Sequence, residues 1–257
     1  MSIWGKVLGG VAGFALGGPL GALMGAFAGH VMVDKNRQAG RARLAGGGGP
    51  FGAFGIPDRQ AAFTLAVIVL GAKMAKADGQ VTTDEIRAFR EVFHIPPEEA
   101  EAVGRLFNEA KRDATGFEPY ATQIAQLFAH DRMMLEELLG GLFHIARAGG
   151  GVNQAELQYL RQVADIFGFD GRAFERIRAT HMGGAVGADG DPYAVLGLKR
   201  DTADDEIKRT YRKLIREHHP DTLIAKGMPQ EFIDLATQKM ATINAAYDRV
   251  AKERGLR

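Results

Sequence analysis

The sequence predicts an all-α protein built in three parts. Three observations carry that reading. Apolar residues recur at helical spacing through residues 58–182 and again through 203–250, helix-start signals and glycine turns repeat at a fixed offset within the first of these stretches, and residues 7–33 form one uncharged, glycine-rich run. Two Gly-rich breaks, at 35–57 and 183–190, cannot hold regular structure cheaply and set the boundaries. The expected organisation is a transmembrane helix within 1–34, a tether at 35–57, a helical domain at 58–182, a linker at 183–190 and a C-terminal helical hairpin domain at 191–257. Apolar residues make up 46% of the chain and charged residues 25%, an ordinary globular balance, and the lack of cysteine excludes disulfides and suits a cytoplasmic body.

No charged residue occurs from Val7 to Val33. As a helix this run would be about 40 Å long, enough to cross a hydrocarbon core of about 30 Å with tilt. Glycines recur every four residues at Gly5, Gly9, Gly13, Gly17, Gly21, Gly25 and Gly29. Such a ridge lets a second helix backbone approach closely, so Gly9, Gly13, Gly17, Gly21 and Gly25 are candidate packing residues of a homodimer. Insertion rests on Leu8, Phe14, Leu16, Leu20, Leu23, Met24, Phe27, Val31 and Val33, and Pro19 should kink the middle. A cleaved secretory signal is the alternative, with Ala26-Phe27-Ala28 as its cleavage site, but the uncharged run far exceeds a signal core of about 7–15 residues. Lys35, Arg37, Arg41 and Arg43 follow the run, against Lys6 before it, which places the N-terminus outside the cytoplasm and the remainder inside. The expected location is a bacterial inner membrane, crossed once, with a periplasmic N-terminus.

The 58–182 segment reads as a bundle of about seven helices with an internal repeat at an offset of 71 residues. Ala75-Lys76-Ala77-Asp78-Gly79-Gln80-Val81 followed by Glu85 aligns with Ala146-Arg147-Ala148-Gly149-Gly150-Gly151-Val152 followed by Glu156. Thr82 with Glu85 and Asn153 with Glu156 are capping boxes that start the helix after each turn. Further helical patterns fill 97–112, 117–129 and 131–147. The segment holds fourteen Lys and Arg against eighteen Asp and Glu, and this acidic balance argues against nucleic acid as a partner and for a protein client.

In the last part, a short helix carries Tyr193 and Leu196 and ends at Gly197. A longer one should begin near Ala203, where Thr202 and Asp205 form a variant capping box and Asp204, Asp205 and Glu206 suit the helix dipole. Ile207, Tyr211, Leu214, Ile215 and His218 share its apolar face, and Arg209, Arg212, Lys213 and Arg216 form a basic stripe. Pro220 should end this helix. A loop through Gly227 and Pro229 then leads to a second helix carrying Phe232, Leu235, Ala236, Met240, Ile243, Ala246, Tyr247 and Val250, expected to pack antiparallel to the first with His219-Pro220-Asp221 exposed between them.

These residues resemble the J domain of DnaJ-type cochaperones: Tyr193 to Gly197, Tyr211-Arg212-Lys213-Leu214, His219-Pro220-Asp221 and Ala245-Ala246-Tyr247. The resemblance implies docking on a DnaK-type ATPase chaperone and acceleration of its ATP hydrolysis, with no chemistry on a substrate, no catalytic residue and no cofactor. His219, Pro220, Asp221, Arg209, Arg212, Lys213 and Arg216 are the candidate docking residues. Cations on one stripe can steer an acidic surface, Asp221 suits an arginine of the partner, and Pro220 fixes the loop. His218 and His219 as a metal pair find no cysteine to complete a site, and the only serine, Ser2, lies outside any catalytic arrangement.

Lys76-Ala77-Asp78-Gly79-Gln80-Val81 with Thr83-Asp84-Glu85 resembles the TerB-like domain of tellurite-resistance proteins. Some of that group carry acidic residues that suggest metal binding, yet here Gly149 stands in the second copy where Asp78 stands in the first, so no metal site is expected. The whole order of parts, with the opening Trp4-Gly5-Lys6, resembles the DjlA-like family of membrane-anchored cochaperones. The alternative function is a metal- or stress-ligand sensor that uses the 58–182 domain, with the J domain secondary.

Overall fold

The structure is a computed structural model of the 257-residue chain. It describes residues 18–24, 26, 59–77, 89, 95, 97–113, 116–148, 151–182 and 190–256. The described elements are all helical: α1 Arg59–Ala77, α2 Pro97–Arg112, α3 Glu118–Leu127, α4 Arg132–Ala148, α5 Gln154–Ile166, α6 Gly171–Met182, α7 Pro192–Leu196, α8 Asp204–Glu217, α9 Pro220–Ala225 and α10 Gln230–Arg254. The sequence boundaries for α2, α3 and α4 agree with these to within two residues. Six helices of the expected bundle are described, and the Thr82–Glu85 turn, Asp78, Asp84 and both Gly-rich breaks up to residue 189 lie outside the described residues.

Helix α1 organises the bundle because it is apolar on every side. Phe63, Val67, Ile68, Val69 and Leu70 have no exposed surface, and α2, α3, α4 and α5 all pack on it. Its two polar interior residues are satisfied. Thr64 Oγ1 donates to the Gln60 carbonyl at 2.9 Å, and buried Lys73 reaches the Asp113 carboxylate at 2.8 Å, which Tyr120 Oη also contacts at 2.9 Å. The repeat is realised at its second copy. Asn153 Oδ1 accepts from the Glu156 amide and Glu156 Oε2 from the Asn153 amide, each at 2.9 Å, after a turn at Gly151 with φ +115°.

Adjacent glycines on α4 admit two other helices. A Cβ at Gly140 would lie 2.5 Å from the His181 ring of α6, and one at Gly141 would lie 2.6 Å from the Phe232 ring of α10. Only glycine permits both approaches, and they bring the C-terminal segment onto the bundle.

The C-terminal segment holds the expected hairpin, α8 against the second half of α10, and also packs beyond it on the bundle. Tyr193, Val195, Leu196, Ile207, Leu214, Ile243, Ala246 and Val250 form its own core, where Tyr211 stacks on Tyr247 at 3.9 Å. Leu223, Met228, Phe232, Ile233, Leu235 and Ala236 instead belong to the core of the central bundle. The apolar stripe of α10 is wide enough to serve two neighbours: its first half packs on the bundle and its second half on α7 and α8. Two local expectations also change. Thr202 Oγ1 accepts from the Lys199 amide rather than capping α8, whose N-cap Ala203 has no side-chain bond. Pro220 does end α8, but it also opens α9 at the first position, where its missing N–H costs nothing.

At the N-terminal end, residues 18–24 form a helical turn that buries Leu20, Leu23 and Met24 in the central core, and the Leu20 amide donates to Gln123 Oε1 at 2.9 Å. The same three residues are among those on which membrane insertion rests. Gly18 has φ +81°, a left-handed backbone that glycine adopts without strain, and Pro19 follows it. Among the described residues no helix is long and apolar enough to cross a membrane. Gly21 lies half-buried in this turn, and Gly9, Gly13, Gly17 and Gly25 lie outside the described residues.

Candidate functional site

The acidic first turn of α8 suits its dipole, and its apolar face seats on α10 through Ile207 and Leu214. Orientation of the polar side follows. Arg209, Arg212, Lys213 and Arg216 are all exposed and line one shallow depression with Glu217, which lies 3.9 Å from the Lys213 ammonium. The expected basic stripe is therefore a single surface.

The tripeptide closes that stripe. His219 is the N-cap of α9, its Nδ1 accepting the Asp221 amide at 3.2 Å, so Nε2 is the nitrogen left to meet a partner. The Asp221 side chain is 84% exposed, and its carboxylate lies 3.5 Å from the His219 ring. Pro220 holds the backbone between them in the first turn of α9. The structure brings together all seven residues singled out from the sequence, with two side chains pointing outward at the end of a cationic surface. Such an arrangement can bind an acidic surface and offer a carboxylate to a guanidinium.

A second group of residues lies directly beneath, and sequence reasoning missed it. His218 is 2% exposed; its Nδ1 lies 3.0 Å from Glu137 Oε1 and its Nε2 3.2 Å from Glu136 Oε1. Lys239, also 2% exposed, places its ammonium 2.8 Å from both carboxylates, and Arg176 grips Glu136 with two nitrogens at 2.9 and 2.6 Å. Glu136, Glu137 and His218 are close enough together to hold a metal, but the Lys239 ammonium already bonds both carboxylates and supplies the positive charge. The donor set fits an ion-pair lattice rather than a metal centre. Signals for it were present in the sequence. Lys239 sits on the apolar face of α10 between Leu235 and Ile243, and Glu136 and Glu137 interrupt an apolar run in α4.

Burial pushes both carboxyls up, yet the opposing charges prevail. Lys239 and His218 hold Glu137 at about 2, and Lys239, Arg176 and His218 hold Glu136 well below the ordinary 4.5. Burial and then Lys239 push His181 down to about 3, and its Nε2 has no hydrogen-bond partner. All three groups take up protons more readily in the unfolded chain. The stability they confer is complete above the unfolded value and is lost as pH falls through the folded one: from about 6.5 towards 3 for His181, and from about 4.5 towards 2 for Glu137. The thermal unfolding midpoint should therefore fall steadily from pH 6.5 to pH 3, and a flat or rising midpoint would contradict these assignments.

Comparison with known proteins agrees with this architecture. Residues 1–43 match the family described as co-chaperone DjlA transmembrane domain, residues 64–179 match tellurite resistance protein TerB, and residues 191–254 match the DnaJ domain. No solved structure matches. Fold and site together define a DnaJ-type cochaperone with a TerB domain. The chain is 35% identical to co-chaperone protein DjlA of Photobacterium profundum, over 99% of this chain and the whole of that protein. It is 33% identical to the protein of the same name from Coxiella burnetii, over 98% of each, and 33% identical to that of Shewanella oneidensis, over the whole of each. The chain belongs to the DjlA family of co-chaperones.

Proposed function

We propose that this cochaperone recruits a DnaK-type chaperone to a membrane and stimulates its ATP hydrolysis through His219-Pro220-Asp221, doing no chemistry on a substrate itself. The observation that carries the reading is the outward pair His219 and Asp221 at the end of the Arg209, Arg212, Lys213 and Arg216 surface. Recruitment belongs to the stripe and stimulation to the loop. The test is ATP hydrolysis by a DnaK-type chaperone with and without the 257-residue chain; no acceleration would overturn the reading.

The N-terminal segment supplies the tether, in a bacterial inner membrane, as a single pass with a periplasmic N-terminus. The match of residues 1–43 to a transmembrane domain and the charge bias after Val33 support this topology. A helix in lipid would draw Leu20, Leu23 and Met24 away from the central core, so spanning and the described packing are alternative states of the same residues. A reporter active only in the cytoplasm should work when fused after Arg257 and fail when fused before Met1, and reversed signals would reject the orientation. Glycine-ridge dimerisation belongs to the spanning state. In the same membranes, crosslinking between copies should weaken when Gly13, Gly17 and Gly21 are replaced by Leu, and unchanged crosslinking would reject the ridge. The acidic central domain is the place for a protein client and is not suited to nucleic acid.

A further inference from the structure

The tripeptide is fixed from outside its own domain. On its N-terminal side His218 is locked into Glu136 and Glu137 of α4. On its C-terminal side Leu223, fully buried, and Met228 enter the core of the central bundle, and neither contributes to the core formed by α7, α8 and the second half of α10. Lys226 closes the contact, its ammonium lying 2.8 and 2.7 Å from the two oxygens of Asp131, at the start of α4. The side-chain anchors of residues 218–228 described above thus come from the bundle, except for Lys239, which couples α10 to the same two glutamates. His219 and Asp221 face solvent between these anchors.

From this juxtaposition we propose that the central domain positions the chaperone-stimulating loop, with Glu136, Glu137 and Asp131 as positioning residues of an activity whose contact residues lie in the J domain. The proposal rests on the cochaperone reading above. Its physical basis is entropic. A loop held at both ends presents His219 and Asp221 in one geometry, whereas a loop tied only to α8 would be ordered by the partner at the cost of binding free energy. The basic stripe stands on α8, whose seat on α10 through Ile207 and Leu214 does not involve the lattice. Loss of the lattice should therefore lower stimulation at saturation and leave the initial docking intact.

The experiment uses the 257-residue chain in detergent micelles, with a DnaK-type chaperone as the probe. Two variants are compared with wild type: the double substitution Glu136→Gln with Glu137→Gln, and Lys226→Met. In the second, Asp131 keeps the Met134 amide as a donor, so its carboxylate is not left without a partner. Hydrogen exchange of the 218–228 amides should quicken by about tenfold in the double variant and by roughly threefold in Lys226→Met, while α1 and α5 keep their protection. Maximal stimulation should fall by roughly fivefold in the double variant and less in Lys226→Met, with the half-saturating concentration changed by less than about twofold. Unchanged exchange at 218–228, or faster exchange with full maximal stimulation, would overturn the positioning role. If the double variant unfolds, Lys226→Met decides by the same two readouts. A wild-type chain that gives no stimulation would instead sink the cochaperone reading, and this role with it.

Discussion

Asp221→Asn in the 257-residue chain should abolish stimulation of a DnaK-type ATPase while leaving the fold in place. The carboxylate is 84% exposed and bonds to no buried group, so the substitution removes a charge from the surface and should change stability by no more than about 0.5 kcal/mol. His219→Gln should act the same way on activity. Its ring caps α9 at 3.2 Å, and a glutamine can keep a polar group there but cannot present an imidazole Nε2. Reversing Arg212 and Lys213 should fail differently. On the proposed function those cations steer and hold the partner, so the half-saturating concentration should rise, and wild-type docking should itself weaken as salt is added. Single-turnover ATP hydrolysis with each variant, beside a urea unfolding curve, separates the cases. Full stimulation by a folded Asp221→Asn chain would remove the loop from the mechanism.

Phe232→Ala should cost about 3–5 kcal/mol, the usual range for truncating a fully buried phenylalanine. Its ring is 0% exposed, meets Phe63 edge-on at 4.6 Å between centroids, and fills the space left by Gly141. The location of the loss is as informative as its size. Phe232 lies in the J-domain stretch of sequence but in the core of the bundle, so the unfolding transition of the central domain should shift with it. Leu214→Ala is the contrast, since that side chain lies in the other core and should cost about 2–5 kcal/mol there. A change below about 1 kcal/mol for Phe232→Ala would mean that the two segments do not share a core.

The difference between these two side chains shows how far the sequence could be read. Helical period identified the stripe from Phe232 to Val250, of which Phe232, Leu235, Ala236, Ile243, Ala246 and Val250 are buried and Met240 and Tyr247 half-buried; period alone does not say against which neighbour each packs. Offsets of three and four placed Arg209, Arg212, Lys213 and Arg216 on one surface, because that grouping depends only on helix geometry. The Asn153–Glu156 capping box was legible for the same reason, being contained within four residues. The Thr202–Asp205 box failed because a competing local acceptor role, from the Lys199 amide, costs no more. The lattice of Glu136, Glu137, Arg176, His218 and Lys239 joins positions about 40 to 100 residues apart. Nothing local announces such a pairing except charges on apolar faces, and those read as solvated until the partner is known.

The packing of α9 and α10 on the bundle also decides how the domain must be studied. Excised at residue 185, the C-terminal segment would expose Leu223, Met228, Phe232, Ile233, Leu235 and Ala236 together. An isolated J segment would then lose activity through misfolding as readily as through chemistry, so tests of the loop belong in the intact chain.

The measurement that bears most directly on the central claim is single-turnover ATP hydrolysis by a DnaK-type chaperone mixed with the 257-residue chain, wild type against Asp221→Asn. The account predicts a hydrolysis rate that rises and saturates with wild type and stays at the chaperone's own rate with the variant. A wild-type chain that leaves the rate unchanged, or a variant that raises it equally, would contradict it.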